Sequence, residues 1–525
     1  MFRSLYPEIE IPDVSIYDYL FGDLDESALD SVAIVDGMSG AETTYRQLVQ
    51  QIQLLAGALA ARGLGVGSTI GMLCPNVPAF ATVFHGILRA GATATTINAL
   101  YTGEEIANQL EDAGADWLFT VSPLLAGAKA AAAIRGIPDE RIVVLDGAEG
   151  HLGLRDLLAE GHAAPEVTFD PRTHVAVLPY SSGTTGRPKG VMITHHNLVS
   201  NVAQCRPVLT VGPDDRVLAV LPFFHIYGMT VLLNFALRQR AGLVTMPRFD
   251  LPEFLRIIAE HRTTWVFVAP PIAVALAKHP IVDQYDLSAV RVVFSGAAPL
   301  DGALASAVAA RLGCEVVQGY GMTETSPAVN LIPAERTDID KSSIGPLVPN
   351  TEARLVDPDT GLDVEAPTGG PSAPGELWVR GPQVMLGYLN RPDATADMLD
   401  ADGWLHTGDI ATVTPEGIFR IVDRLKELIK YKGYQVAPAV LEAVLLEHPQ
   451  IADSAVIGAN DEDGQEVPKA YVVVQPGADL TADDVMAFVA SKVAPHEKVR
   501  IVEFIDQIPK SSSGKILRKD LRARV

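Results

Sequence analysis

Short apolar runs alternating with longer amphipathic segments, sustained over about 420 residues, constrain this chain more than any other feature. Val175-Ala-Val-Leu178, Val217-Leu-Ala-Val-Leu221, Trp265-Val-Phe-Val268 and Val290-Arg-Val-Val-Phe294 have strand length and are apolar almost throughout. Between such runs lie segments like 45–64, where Leu48, Ile52, Leu55 and Leu59 recur at helical spacing. Strands buried on both faces and joined through helices pack as parallel sheets flanked by helices. The expected fold class is therefore α/β.

The pattern changes near the C-terminal end. The 357–375 stretch is rich in Asp, Gly, Pro and Thr and reads as a loop before the strand Gly375–Arg380. Beyond Arg424, Pro438 opens a helix carrying Val440, Leu441, Val444 and Leu445, and Thr481-Ala-Asp-Asp484 makes a capping box for a second. Strand runs at 454–457, 469–474 and 500–505 complete a small α+β unit. The expected organisation is a large unit, 1–423, and a small one, 424–525.

Composition narrows the function classes. With 41 Lys+Arg against 64 Asp+Glu the chain carries −23, which repels nucleic-acid phosphates, and its 48% apolar content argues against disorder. Cys74, Cys205 and Cys314 are far apart and form neither a disulfide framework nor a zinc pattern. No export segment is visible at the start, and the uncharged stretch between Arg216 and Arg238 contains Pro222, His225, Gly228 and Asn234. A buried strand, loop and helix suit it better than a membrane span. A cytoplasmic enzyme is expected, and the sequence leaves a homodimer open.

Chemistry concentrates first in Tyr180-Ser-Ser-Gly-Thr-Thr-Gly-Arg-Pro-Lys-Gly190, after the strand at 175–178. Hydroxyls, glycine amides and Lys189 in this series suit phosphate oxygens. The spacing is not that of a Walker A loop, and Gly63-Leu-Gly-Val-Gly67, which follows a helix, is a turn and not a dinucleotide fingerprint.

Ser181-Ser-Gly-Thr-Thr-Gly-Arg-Pro-Lys-Gly190 resembles the phosphate-binding motif of the adenylate-forming superfamily: acyl-CoA synthetases, nonribosomal adenylation domains and luciferases. Four more matches follow in the family's order: Gln318–Glu324, Trp404–Asp409, Val422–Gln435 and Pro509–Lys515. The resemblance implies a large body of parallel-type sheets plus a β-barrel-like subdomain, with a small mobile α+β C-terminal domain. It also implies ATP, Mg²⁺ and CoA as cofactors or co-substrates and a small carboxylic acid as substrate. Ser181, Ser182, Gly183, Thr184, Thr185 and Lys189 would hold phosphates. Tyr320, between Gly319 and Gly321, offers a ring for adenine stacking, with Gln318 in the same segment and the Gly296-Ala297-Ala298 backbone on the other side. Thr323 would donate to the α-phosphate and Glu324 would ligate Mg²⁺. Asp409, assisted by Arg424, would hold the ribose hydroxyls; outside its Thr-Gly-Asp setting it would read as a turn residue.

Lys515 alone would read as solvated charge; the resemblance makes it the lysine that bridges substrate carboxylate and phosphate during adenylation. Lys426 matches the hinge about which the small domain swings between an adenylating and a thioester-forming pose. Lys430 and Gln435 match adenylate contacts, and Arg248, Lys432 and Gly433 match CoA contacts. Phe223-Phe-His-Ile-Tyr-Gly228 is similar to the 4-coumarate:CoA ligase pattern, which puts His225 on the route to the thioester tunnel and Tyr227 against a phenolic ring. Gly321, Pro327 and Ala328 would line the acid pocket, where Val231 and Ala328 depart from the residues expected in many plant enzymes. The expected reaction is carboxylate:CoA ligation on 4-coumarate or cinnamate-like acids, closest to the bacterial-type enzymes. Its rivals are a medium- or long-chain fatty acyl-CoA ligase, a luciferase-like monooxygenase and an adenylation enzyme loading a carrier protein.

Overall fold

The apolar runs become the centres of two large sheets in the computed structural model, which describes residues 1–181, 188–431, 434–461, 465–511 and 514–524, with Tyr434 and Gln435 described in backbone only. Each of these sheets has eight strands among the described residues. In the first, Val175–Val177, Thr93–Thr96, Thr69–Leu73, Ala115–Thr120 and Ile142–Val144 lie side by side and parallel. In the second, Glu315–Gly321, Val292–Ser295, Trp265–Val268, Arg216–Ala219, Gly242–Thr245 and Val32–Asp36 do the same.

The parallel reading holds for the sheet centres, but antiparallel strands join near the site. Lys189–Thr194 pairs antiparallel with Val175–Val177 and then with Gly387–Tyr388. Ala328–Leu331 pairs antiparallel with Glu315–Gly321. Hairpin-like returns of this kind need no crossover helix, so alternation does not announce them.

The helix His195–Cys205 starts at a Thr194/Asn197 capping box, and every one of its residues is buried. It packs against Lys189–Thr194 and Ala328–Leu331, one strand from each large sheet. Its Asn201 side chain donates to the Ala328 carbonyl (2.8 Å) and accepts from the Ala328 N–H (2.9 Å), replacing ladder bonds the strand would otherwise lack. The stretch from Arg216 to Arg238, uncharged between those two arginines, forms a strand and then a π-helix, Gly228–Asn234, running into Phe235–Arg238. No helix is long and apolar enough to cross a membrane among the described residues.

The expected barrel-like subdomain is a five-stranded antiparallel sheet: Phe2–Arg3, Glu352–Val356, Gly375–Arg380, Leu405–Val413 and Phe419–Arg424. Its last strand is bridged to Gly345, so that edge is partly covered. After Arg424 a turn holding Lys426 leads to the hairpin Ile429–Tyr431 and Tyr434–Val436. Then Ile451–Asn460, Glu466–Val474 and Ile501–Phe504 form a three-stranded sheet under the helices Pro438–Leu446 and Ala482–Ala490. Leu441, Leu445, Val456, Val472, Val485 and Val489 pack there as a separate apolar core.

Candidate active site

A cavity of about 480 Å³ opens where the two large sheets, the five-stranded sheet and the C-terminal unit meet. The strand ends deliver its polar residues. Tyr180–Ser181 pairs antiparallel with the start of Lys189–Thr194, which brings the two described ends of the phosphate-type motif side by side. Ser181 and Lys189 line the cavity; Ser182, Gly183, Thr184 and Thr185 lie outside the described residues. The Tyr180 hydroxyl donates to Asp112 Oδ2 at 2.8 Å and ties this strand pair to the end of the helix Gly103–Asp112.

Gly319, Tyr320, Gly321, Thr323, Glu324, Pro327 and Ala328 line the next wall. The Tyr320 hydroxyl donates to Asp409 Oδ2 at 2.5 Å, and Arg424 Nε lies 3.2 Å from Asp409 Oδ1. Burial first, and then the Asp409 carboxylate, push the Tyr320 pKa well above the usual phenol value, so the hydroxyl keeps its proton. A carboxylate has about four lone-pair directions, so Asp409 retains capacity for two hydroxyls beyond these partners.

Glu324 is buried, and its Oε1 accepts from the Tyr388 hydroxyl at 2.7 Å. Among the described residues Oε2 accepts no hydrogen bond and would be available to a cation. One carboxylate of this kind beside the Thr323 hydroxyl fits Mg²⁺, which keeps waters and shares its coordination with substrate phosphates. No cluster of three or more His, Cys, Asp or Glu able to hold a metal alone occurs among the described residues.

Lys515 reaches the same cavity from the C-terminal unit, as do Arg424 from the end of the strand Phe419–Arg424 and Lys426 from the turn after it. Burial, followed by repulsion from Arg424, brings the Lys515 ammonium down to about 8, against the pull of Asp409 and Glu324. Gly514 makes the approach possible. Its φ is +81°, and a Cβ there would stand 3.3 Å from both Ala269 Cβ and Pro271 Cδ.

His225 and Tyr227 line the apolar end with Val231, Phe294 and Leu331. The Tyr227 N–H donates to His225 Nδ1 at 3.3 Å, which leaves the proton of the neutral ring on Nε2. Burial, with Lys515 nearby, lowers His225 to about 4. The Tyr227 hydroxyl is buried without a hydrogen-bond partner among the described residues. Its ring lies so close to Gly296 that a Cβ there would come within 2.8 Å of Cε1 and Cζ. Gly296 therefore makes room for a side chain as well as lining the cavity.

Other expected residues fall elsewhere. Ala297, at φ +71°, lines the cavity and Ala298 does not. Gln318 also stands outside the lining: its Oε1 accepts from Leu300 N–H (3.0 Å), and its Nε2 donates to the Leu300 (3.0 Å) and Lys341 (2.6 Å) carbonyls. It braces the loop behind Gly296. Arg248 is exposed beyond the strand Gly242–Thr245. Lys430 is exposed opposite Gln435 across the hairpin, and its N–H donates to Glu466. Lys432, Gly433 and the Gln435 side chain lie outside the described residues. Tyr388 escaped the sequence reading because a Gly-Tyr pair in an apolar stretch carries no chemical spacing signal.

Two family models match in order: AMP-binding enzyme over residues 24–389 and AMP-binding enzyme C-terminal domain over 440–515. The chain is 42% identical over 536 residues to 4-coumarate--CoA ligase 5 of Oryza sativa subsp. japonica, covering 100% of this chain and 97% of the relative. Among solved structures it resembles an anthranilate CoA ligase in complex with anthranoyl-AMP, with TM-score 0.88 and 26% identity over 98% of this chain and 97% of the other. It also resembles ATP-bound MatB from Rhodopseudomonas palustris, with TM-score 0.87 and 29% identity over 98% and 99%. With both models matched in order over a cavity that gathers the motif residues, the chain belongs to the AMP-binding, adenylate-forming enzyme family.

Proposed function

We propose that this adenylate-forming CoA ligase acts on 4-coumarate- or cinnamate-type acids. A substrate carboxylate oxygen attacks the α-phosphorus of ATP, pyrophosphate leaves, and the CoA thiol then takes the acyl group and releases AMP. The observation that carries the reading is the meeting of Lys515 with Thr323, Glu324, Tyr320 and Asp409 in one cavity. Lys515 would offset the negative charge shared by the attacking carboxylate and the phosphorus, by position and charge alone. Tyr320, with the Gly296–Ala297 backbone, would hold adenine, Asp409 and Arg424 the ribose, and Ser181 and Lys189 with the rest of their motif the phosphates. Mg²⁺, held through Glu324, would supply charge neutralisation at the phosphates.

The apolar end supports an aromatic acid. Phe294, Val231, Ala328 and Leu331 offer flat apolar walls, and the unpartnered Tyr227 hydroxyl offers one polar contact to a ring substituent. The ligases named above support the same class through what they act on, 4-coumarate and anthranilate. Neutral His225 lines the same cavity with Lys515 near enough to disfavour its charged form, in keeping with a place on the thioester route.

Residues 424–525 would move as a unit about Lys426. Lys430 and Arg248 lie outside the cavity, as residues reserved for a second arrangement with Gln435, Lys432 and Gly433 would. ATP and CoA as co-substrates support a cytoplasmic setting. ATP–pyrophosphate exchange against 4-coumarate, cinnamate, benzoate, octanoate, palmitate and amino acids, followed by CoA addition and mass detection of the thioester, tests this. Exchange and ester strongest with hydroxycinnamates sustain the reading. Strongest turnover of fatty acids overturns the substrate class, and absence of exchange overturns the assignment of the site.

A further inference from the structure

Tyr388 joins two charged groups that the sequence keeps far apart. Its hydroxyl donates to Glu324 Oε1 at 2.7 Å, and its ring lies under Lys189 Nζ, 4.7 Å from the centroid. The backbone around it is held from several sides. Gly387–Tyr388 pairs with Lys189–Thr194, the Met385 N–H donates to the Glu324 carbonyl, and the Leu389 N–H donates to the Gly190 carbonyl. The Tyr388 N–H also donates to Thr395 Oγ1 at 2.8 Å. A short edge strand thus couples the Lys189 strand to the Glu324 turn.

Opposite charges on neighbouring walls of a water-poor cavity attract strongly, and a direct ion pair between them would occupy the groups a nucleotide needs. No ion pair joins Lys189 and Glu324 among the described residues, although both line the cavity. The aromatic ring gives the ammonium an electron-rich face in place of a carboxylate. The phenol hydroxyl takes one carboxylate oxygen, Oε1, and among the described residues Oε2 accepts no hydrogen bond.

We propose that Tyr388 is a positioning residue for adenylation, keeping Lys189 and Glu324 separate and oriented for a divalent cation–polyphosphate complex. This rests on the reading of Glu324 as the residue that holds Mg²⁺. The ring serves Lys189 and the hydroxyl serves Glu324, so the two contributions are separable by substitution.

Calorimetric titration of ATP into the enzyme without acid substrate, in Mg²⁺ and in EDTA, tests the proposal. Tyr388→Phe keeps the ring and loses the hydroxyl; the Mg²⁺-dependent gain in ATP affinity is expected to shrink about tenfold while affinity in EDTA stays within about twofold. Tyr388→Leu loses both, and affinity in EDTA is expected to fall as well. An unchanged gain in Tyr388→Phe, or an equal loss with and without Mg²⁺, overturns the proposal; the equal loss marks a purely structural tyrosine. Mn²⁺ binding in the presence of ATP, followed by electron paramagnetic resonance, gives an independent readout. In a Glu324→Gln background, Tyr388→Phe is expected to add nothing to the loss of gain, and a further loss there overturns the coupling. Wild-type enzyme showing no gain from Mg²⁺ overturns the metal role of Glu324 before any variant is made, which separates that failure from failure of the tyrosine.

Discussion

A lysine buried beside an arginine gives up its proton more easily than one in water, because burial disfavours the ammonium and the guanidinium repels it. For Lys515 the result is a value of about 8. Exchange measured at low ATP should decline as pH rises through that value, since only the charged form offsets the phosphate. His225, near 4, stays neutral over the same range and contributes nothing to the decline. A Lys515→Arg variant keeps its charge, so its profile should be flat there, whatever its absolute rate. Stability has the opposite sign. The folded value lies below the ordinary 10.5, so between about 8 and 10.5 the unfolded chain binds more protons and this lysine's penalty is relieved as pH rises. Thermal unfolding of Lys515→Met against wild type across that window reads the difference. Lys515→Ala should cut exchange about 10²–10³-fold while slowing ester formation from a preformed acyl-adenylate far less. At Gly296, alanine would put a methyl within 2.8 Å of the Tyr227 ring; the expected outcome is a raised KM for the acid with ATP binding little changed.

Elements at the site are held by side chains from outside themselves. The helix Pro438–Leu446 begins at Ala437, which has no side chain to cap it, and Pro438 has no N–H. The next amide, of Ala439, donates to Asp423 Oδ2 at 2.9 Å, from the strand Phe419–Arg424 before the Lys426 turn. Asp423→Ala should cost about 1 kcal/mol in denaturant unfolding, and Asp423→Asn, which keeps an acceptor, should cost less. A cap supplied sixteen residues before the amide it satisfies is invisible to a rule that looks at the adjacent position; the Thr481/Asp484 box obeys that rule and was legible. The same division holds elsewhere. The helix Tyr45–Ala61 and the strand Gly375–Arg380 fall where period and composition put them. The π-helix Gly228–Asn234 does not show in the sequence, because its wider turn is set by the strands and helix packed around it.

At the scale of the whole molecule, the proposed adenylating arrangement would depend on a loop of the C-terminal unit lying against the large body. Gly514 lies so near Ala269 and Pro271 that a Cβ would stand 3.3 Å from each, in a left-handed conformation that disfavours any side chain. Gly514→Ala is expected to slow exchange while leaving ester formation from preformed adenylate within about threefold, because only the first step needs this approach. Equal slowing of both steps would show that the contact serves folding and not the pose.

By itself the sequence determined which local structures form and which chemical groups are available. Apolar runs can be satisfied only in sheet interiors, amphipathic segments only as helices over them, and the motif residues keep their chemistry wherever they lie. Tertiary structure alone decided which of those groups meet. It brought Tyr388 to Glu324 across 64 residues, turned Gln318 into a loop brace, and left Ala298, Arg248 and Lys430 outside the cavity. Periodicity and capping act over a few residues, whereas such meetings depend on strand order, edge pairing and the packing of a fully buried helix between two sheets.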